Sequence, residues 1–214
     1  MNSYLSLINA QSEVLPPELQ DDDVRYPASL VEHFLLEYTR VGDVVFDPFA
    51  GYGTTLTTAE TMGRRAYGVE MNEAKVMYAR SHLQRPEQLI HGDSRRLAIY
   101  AFPLFDFSMT SPPYTSVNDA LDPLTDYTVE GKGYAAYLRE LRAIYGQLRM
   151  FMKPSGIVVI EAANIKRNGR VTSLAWDIAE EISHVFHFEG EVVICWDHYG
   201  YGYDHSYCLV FSAL

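Results

Sequence analysis

The stretch Phe46-Asp47-Pro48-Phe49-Ala50-Gly51-Tyr52-Gly53-Thr54-Thr55 decides how the chain folds. The apolar run Val44-Val45-Phe46 leading into it reads as a buried strand, and Thr54 to Met62 as the helix that follows. Gly51 and Gly53 fall at the crossover, where a backbone without Cβ turns sharply and lets a ligand approach. A second strand, Arg65 to Glu70, ends in a carboxylate. Asn72 then stands where an N-cap belongs, ahead of a helix from Glu73 to His82. A third strand, Gln88 to Asp93, also ends in an acid. A fourth, Phe105 to Met109, runs into Thr110-Ser111-Pro112-Pro113-Tyr114.

The remaining periodicity extends this alternation in both directions. Upstream, Pro27 suits the first turn of a helix carrying Leu30, Val31, Phe34 and Leu35 on one stripe. Residues Met1 to Val24, with Pro16-Pro17 and Asp21-Asp22-Asp23, predict a loosely structured arm lying over a ligand or against a partner. Downstream, 115–133 has no period and several turn residues, which predicts a functional or mobile loop. Tyr134 to Met152 is helical by period, with Tyr137 and Tyr145 on its core face. Ile157 to Ile160 is a fifth strand, Val171 to Phe186 a last helix with Trp176 in the core, and 192–196 with 207–211 a closing pair of strands. Strand and helix alternating in this way predict an α/β fold, a mostly parallel seven-stranded sheet ending in an antiparallel hairpin. Residues 25–214 are expected to be a single domain.

Composition narrows the function. The chain has 214 residues, 48% of them hydrophobic, enough for one sizeable core. With 17 basic and 28 acidic residues the formal charge is −11. That opposes a grip on nucleic acid over the whole surface, though not a local basic rim. Lys166, Arg167 and Arg170 form one candidate rim, with Arg95 and Arg96 a weaker one. Cys195 and Cys208 lie in apolar strands at no metal-ligand spacing and read as buried, reduced thiols of a cytoplasmic protein. No signal peptide and no membrane-length apolar run is present.

Acids at three successive strand ends suggest what the glycine turn holds. A dinucleotide site would show G-x-G-x-x-G so that a pyrophosphate rests on the helix N-terminus, whereas Leu56 stands where the third glycine would be. A phosphate-free nucleoside fits better. Glu70, about 20 residues on, suits a ribose diol. Asp93 suits an adenine amino group, and Asp47 the cationic end of a methionine moiety. Singly, the glycines read equally well as a tight turn and the acids as a helix cap or surface groups.

Asp47 to Thr55 together with Ser111-Pro112-Pro113-Tyr114 resembles the signature pair of the DNA amino-methyltransferases that modify cytosine N4 or adenine N6. Their F-x-G-x-G turn is matched by Phe49, Gly51 and Gly53, and their (D/N/S)-P-P-(Y/F) tetrapeptide by residues 111–114. Arg25 to Leu30 is similar to the family segment that contacts the methionine part of the cofactor, and His205 to Phe211 to its terminal hairpin. The resemblance implies a Rossmann-like class I methyltransferase using S-adenosyl-L-methionine. Tyr26, Pro27, Ser29, Asp47, Phe49, Gly51, Gly53, Thr54, Glu70, Met71, Asp93 and Ser94 would form the cofactor site. Ser111 Oγ and the Pro112 carbonyl would accept hydrogens from an exocyclic amine, with Pro113 stiffening the turn and Tyr114 stacking on an extruded base. No metal is required, and the absence of a matching cysteine nucleophile argues against methylation of cytosine carbon 5. Ser111 at the head of the tetrapeptide leans toward cytosine N4.

The resemblance implies nucleic acid as partner, DNA ahead of RNA. Guanine-N2 methylation of RNA and a non-catalytic, cofactor-binding subunit are the alternatives. The segment 115–133 is short and acidic and the chain stops just past its closing strand, so no separate target-recognition domain is expected. Sequence specificity would then come from a further subunit or a homodimer. The tyrosines Tyr199, Tyr201 and Tyr203, with His198 and His205, wall a pocket or pack a hairpin, packing being favoured.

Overall fold

A computed structural model describes residues 3–11, 13–22, 24–199 and 202–214. Its main sheet is built from β1 (Tyr4–Leu7), β2 (Val44–Asp47), β3 (Arg65–Glu70), β4 (Leu89–His91), β5 (Phe105–Thr110), β6 (Met152–Ala162), β9 (His187–Trp196) and β10 (His205–Ser212). These eight strands run in the order β1-β9-β10-β6-β5-β2-β3-β4. Strands β2, β3, β4, β5 and β6 pair in parallel. Within this sheet β10 alone runs against its neighbours. Helices α1 (Ala28–Tyr38), α2 (Thr54–Thr61) and α3 (Glu73–His82) pack on one face, and α4 (Tyr134–Arg149) and α5 (Leu174–Ser183) on the other. This is the doubly wound α/β arrangement that the alternation predicts.

The strand order reverses between β2 and β5, which places the glycine turn and Ser111-Pro112-Pro113-Tyr114 side by side at the carboxyl ends of adjacent strands. Each strand is buried on both faces: β2 wholly, and β5 at every position except Asp106. Such strands read as unbroken apolar runs because helices cover them above and below. Asn72 caps α3 as expected, its side chain accepting from the Ala74 and Lys75 amides at 2.9 and 3.2 Å.

Four expectations change. The sheet has eight strands, because Tyr4–Leu7 of the arm pair in parallel with β9. The segment 165–172 is not the approach to a helix but a small hairpin, β7 (Ile165–Arg167) and β8 (Arg170–Thr172), so Val171 is an exposed strand residue and α5 begins at Leu174. Asn168 and Gly169 both take positive φ, 52° and 75°, the conformation of a two-residue hairpin turn. Trp176 is 42% exposed, packed against Tyr207 with ring centroids 4.8 Å apart, because it lies on the outer flank of α5. Cys195 is exposed and only Cys208 is buried. Cys195 lies opposite His205 on a stretch of β9 where burial alternates, exposed between buried Ile194 and Trp196. Tyr137 and Tyr145 are core residues as predicted. Among the described residues no helix is long and apolar enough to cross a membrane, and no His, Cys, Asp and Glu cluster suits a metal ion.

Candidate functional site

A cavity of about 840 Å³ opens at the point where the strand order reverses. Its walls bring together Tyr26, Asp47, Phe49, Gly51, Thr54, Glu70, Met71, Asp93 and Ser94 with Ser111, Pro112, Pro113 and Tyr114. Pro27, Ser29 and Gly53 stand off the wall. Pro27 is the buried residue ahead of α1, Ser29 lies on that helix, and Gly53 precedes α2.

Positive φ is what the turn demands of its glycines: 52° at Gly51 and 86° at Gly53. A Cβ at Gly53 would also come within 3.0 Å of the Ala79 Cβ, so this position lets α2 and α3 approach each other. The acids of this wall brace the turn. Asp47 Oδ1 accepts from the Phe49 amide at 2.9 Å. Glu70 accepts from the Gly51 amide at 2.8 Å through Oε2 and from the Asn72 amide at 2.7 Å through Oε1. Carboxylates that receive backbone amides in this way fix a loop before any ligand arrives. Asp93 caps the segment after β4 through the Arg95 amide, and its two oxygens also receive the Arg95 guanidinium at 2.7 to 3.0 Å. The expected adenine acceptor is thus already engaged by Arg95, which itself lies on the cavity wall. Ser94 Oγ is bonded to the Pro48 carbonyl, tying the β4 end to the turn.

Asp47 is 2% exposed. Burial pushes its carboxyl up to about 7, offset only in part by the Thr110 hydroxyl, the Phe49 amide and the Thr55 hydroxyl. A cationic group in the cavity would restore its charge. Tyr26 is hydrogen-bonded to Thr55, and burial, with Asp47 beside it, raises its phenol well above the usual value.

The opposite wall is built by β5 and β6. Two carbonyls of its turn are tethered from outside. Tyr137 donates to the Pro113 carbonyl at 2.9 Å, and Tyr127 to the Tyr114 carbonyl at 2.7 Å. Among the described residues no such tether reaches the Pro112 carbonyl. Behind the turn lies Glu161, 3% exposed, a residue that sequence reasoning missed. Its Oε2 accepts from Ser111 Oγ at 2.8 Å and Tyr114 Oη at 2.7 Å, and its Oε1 from Tyr199 Oη at 3.0 Å. Burial, with Glu161 alongside, holds the Tyr114 phenol well above its usual range. The pairing of Thr110 with Ile160 sets Glu161 next to Ser111. The only linear hint is a charged residue at the end of the apolar run Ile157–Ile160.

Segment 115–133 forms the roof. Asp126 reaches Asn72 Nδ2 at 2.8 Å and Lys75 Nζ at 3.8 Å, and Pro123, Leu124, Asp126 and Tyr127 face the cavity. The hairpin carries Lys166 and Arg167 to the mouth, where Arg167 pairs with Asp119 at 3.3 Å. Arg170 points to Asn118 at 3.4 Å. Tyr199 belongs to the wall, whereas Tyr203, His205 and Tyr207 form a ladder of rings. Tyr201 lies outside the described residues.

Parts of the chain are similar to known proteins. Residues 11–81 match the family model described as DNA methylase, of the N6/N4 type. Type II methyltransferase M2.DpnII of Streptococcus pneumoniae is 38% identical over 58 residues, 27% of this chain and 22% of that protein. DNA adenine methyltransferase YhdJ of Escherichia coli is 32% identical over 84 residues, 39% of this chain and 28% of that protein. The chain therefore covers well under half the length of the curated relatives it matches. Among solved structures, TrmN of Thermus thermophilus superposes with a TM-score of 0.59 at 18% identity, covering 87% of this chain and 49% of that one. A class I S-adenosylmethionine-dependent methyltransferase of Listeria monocytogenes gives 0.60 at 17%, covering 93% and 62%. Over its matched third the chain is similar to the N6/N4 DNA methylases, and its fold is that of the class I S-adenosylmethionine-dependent methyltransferases.

Proposed function

We propose that this protein methylates an exocyclic amino group of a DNA base, cytosine N4 ahead of adenine N6, with S-adenosylmethionine as methyl donor. The observation that carries the reading is the meeting of the two motifs across one cavity. The wall fits that cofactor: a desolvated Asp47 calls for a cation, and Glu70 presents a fixed carboxylate at the end of β3. When bound, the cofactor supplies a methyl group on positively charged sulfur, open to attack by a nitrogen lone pair.

What the chain's own groups do follows from their geometry. An amino group conjugated to a base ring is a poor nucleophile, because its lone pair is delocalised. Ser111 Oγ and the Pro112 carbonyl are acceptors for its two hydrogens, and accepting them favours a pyramidal nitrogen with its lone pair available. Two consecutive prolines and the tethers from Tyr127 and Tyr137 hold these acceptors in place beforehand, so little reorganisation remains for the reaction itself. Methyl transfer would leave the amine with one proton to lose, and Ser111 Oγ, backed by Glu161 Oε2, would be the group placed to receive it. Tyr114 has its hydroxyl fastened to Glu161, leaving the ring as a surface for an extruded base. Residues 25–214 act as one catalytic domain in this reading, with sequence specificity supplied by a further subunit or a second copy.

The test is transfer of tritiated methyl from S-adenosylmethionine into DNA, RNA and protein pools, followed by nucleoside analysis. Label in N4-methylcytosine or N6-methyladenine is expected. Label confined to RNA or protein, or cofactor binding with no transfer to any pool, would overturn the assignment.

A further inference from the structure

We infer that Glu161 is a specificity-determining residue: it holds the hydroxyl hydrogen of Ser111 turned away from the cavity, so that Ser111 presents only acceptor lone pairs and the site admits amino bases while rejecting keto bases. The inference rests on the amino-methyl reading above and adds to it the device that selects the substrate group.

A serine hydroxyl has one hydrogen and two lone pairs and is by itself indifferent, donating to a carbonyl as readily as it accepts from an amine. An acid at this position would be acceptor-only without help; a serine needs a partner that takes its proton. Glu161 Oε2 lies 2.8 Å from Ser111 Oγ, and a carboxylate has only acceptor sites. The hydrogen between them therefore belongs to Ser111. Rotation of Glu161 to release it is blocked, because the same oxygen receives Tyr114 and the other receives Tyr199. The side chain is buried, so abandoning these donors would leave polar groups unsatisfied. Ser111 itself is on the cavity wall. A base carrying oxygen where cytosine or adenine carries an amino group would set its carbonyl against the Ser111 lone pairs and the Pro112 carbonyl, with no hydrogen between them. Sites that require a hydrogen bond discriminate far more strongly than sites that only measure size.

The experiment measures binding of short single-stranded oligonucleotides with one base in an otherwise abasic strand, in the presence of S-adenosylhomocysteine. The pairs are cytosine against uracil and adenine against hypoxanthine, read by fluorescence anisotropy competition. Wild type is expected to prefer the amino member of at least one pair by about 10- to 100-fold. In Glu161→Ala and Glu161→Leu, which leave no acceptor at this position, the Ser111 hydroxyl is released from the carboxylate and can turn inward, and the preference should fall to about threefold or less, chiefly through tighter binding of the keto strand. A gain for the keto strand is not something a merely loosened site would produce. Cofactor affinity and melting temperature report whether each variant is folded, and Ser111→Ala, which removes the hydroxyl, should make the Glu161 substitutions silent. If both folded variants retain the wild-type preference, the role of Glu161 is overturned while the amino-methyl reading stands. Wild type that labels DNA yet binds amino and keto strands equally also overturns it. Wild type that neither labels DNA nor binds any strand overturns the underlying reading.

Discussion

The two walls of the cavity use their carboxylates in opposite ways. On the β2–β3 side, Asp47 and Glu70 receive backbone amides from the turn that they brace, and Asp93 is held by its own neighbour Arg95. On the β5–β6 side, Glu161 receives side-chain hydroxyls from Ser111, Tyr114 and Tyr199, each far from it in the chain. The first wall is nearly local: Asp47 and Asp93 hold residues two positions on, and Glu70 ties the end of β3 to the turn after the neighbouring β2. The second exists only through strand register and the return of the chain after β9. One is suited to presenting a fixed pocket to a cofactor, the other to setting the direction of hydrogens at the reacting group.

That contrast predicts a division between binding and turnover. Ser111→Ala should lower kcat by about 10²- to 10³-fold, the scale for removing one positioned hydrogen-bonding group, with cofactor affinity within about threefold of wild type. Equal loss in both would erase the distinction between the walls. Glu70→Ala should do the reverse, weakening cofactor binding by about 2 kcal/mol through the released Gly51 and Asn72 amides, with kcat at saturation little changed; calorimetric titration against saturating kinetics separates the two. Asp47→Asn sharpens the comparison through pH. A carboxyl raised from 3.8 to about 7 on folding binds more protons folded than unfolded between those values, so its contribution to stability falls as pH rises through that window. The uncharged amide of the variant should flatten the dependence, gaining about 2 kcal/mol over wild type at pH 8 in urea melts. Cofactor affinity of the wild type should climb as pH rises toward 7 and level off above it, and the variant should lose that slope. The smallest effect belongs to the roof: Asp126→Ala, which frees the partly exposed contacts to Asn72 and Lys75, should speed cofactor dissociation by about two- to threefold in stopped-flow displacement.

Legibility followed the same division. The β2–β3 wall lay in contiguous sequence, and the glycine turn, the strand-end acids and the Asn72 cap were all readable from spacing. Ser111-Pro112-Pro113-Tyr114 was readable for the same reason. Glu161 was not, because its neighbours are set by the pairing of β5 with β6 and by the loop carrying Tyr199, relations with no linear period. The β7–β8 hairpin carries a strong signal, Asn168-Gly169 between short strand-forming runs, but the helical period that starts a few residues later masks it. Asp93 shows the limit of reading strand ends one by one. Arg95 reads from the sequence as a rim cation, and in the structure its guanidinium pairs with Asp93, two positions back.

The parallel pairing of Tyr4–Leu7 with β9 bears on how the protein is handled at the bench. After that strand the chain passes the mouth, where Asn9, Val24 and Arg25 contribute to the rim. A shortened version starting at the first helix would strip a neighbour from β9 and uncover its row of amides and carbonyls, an invitation to intermolecular pairing. It would also remove one side of the entrance. Expression designs that trim this segment as a dispensable leader should therefore yield material that clumps and holds its ligands poorly, even though every signature residue is retained.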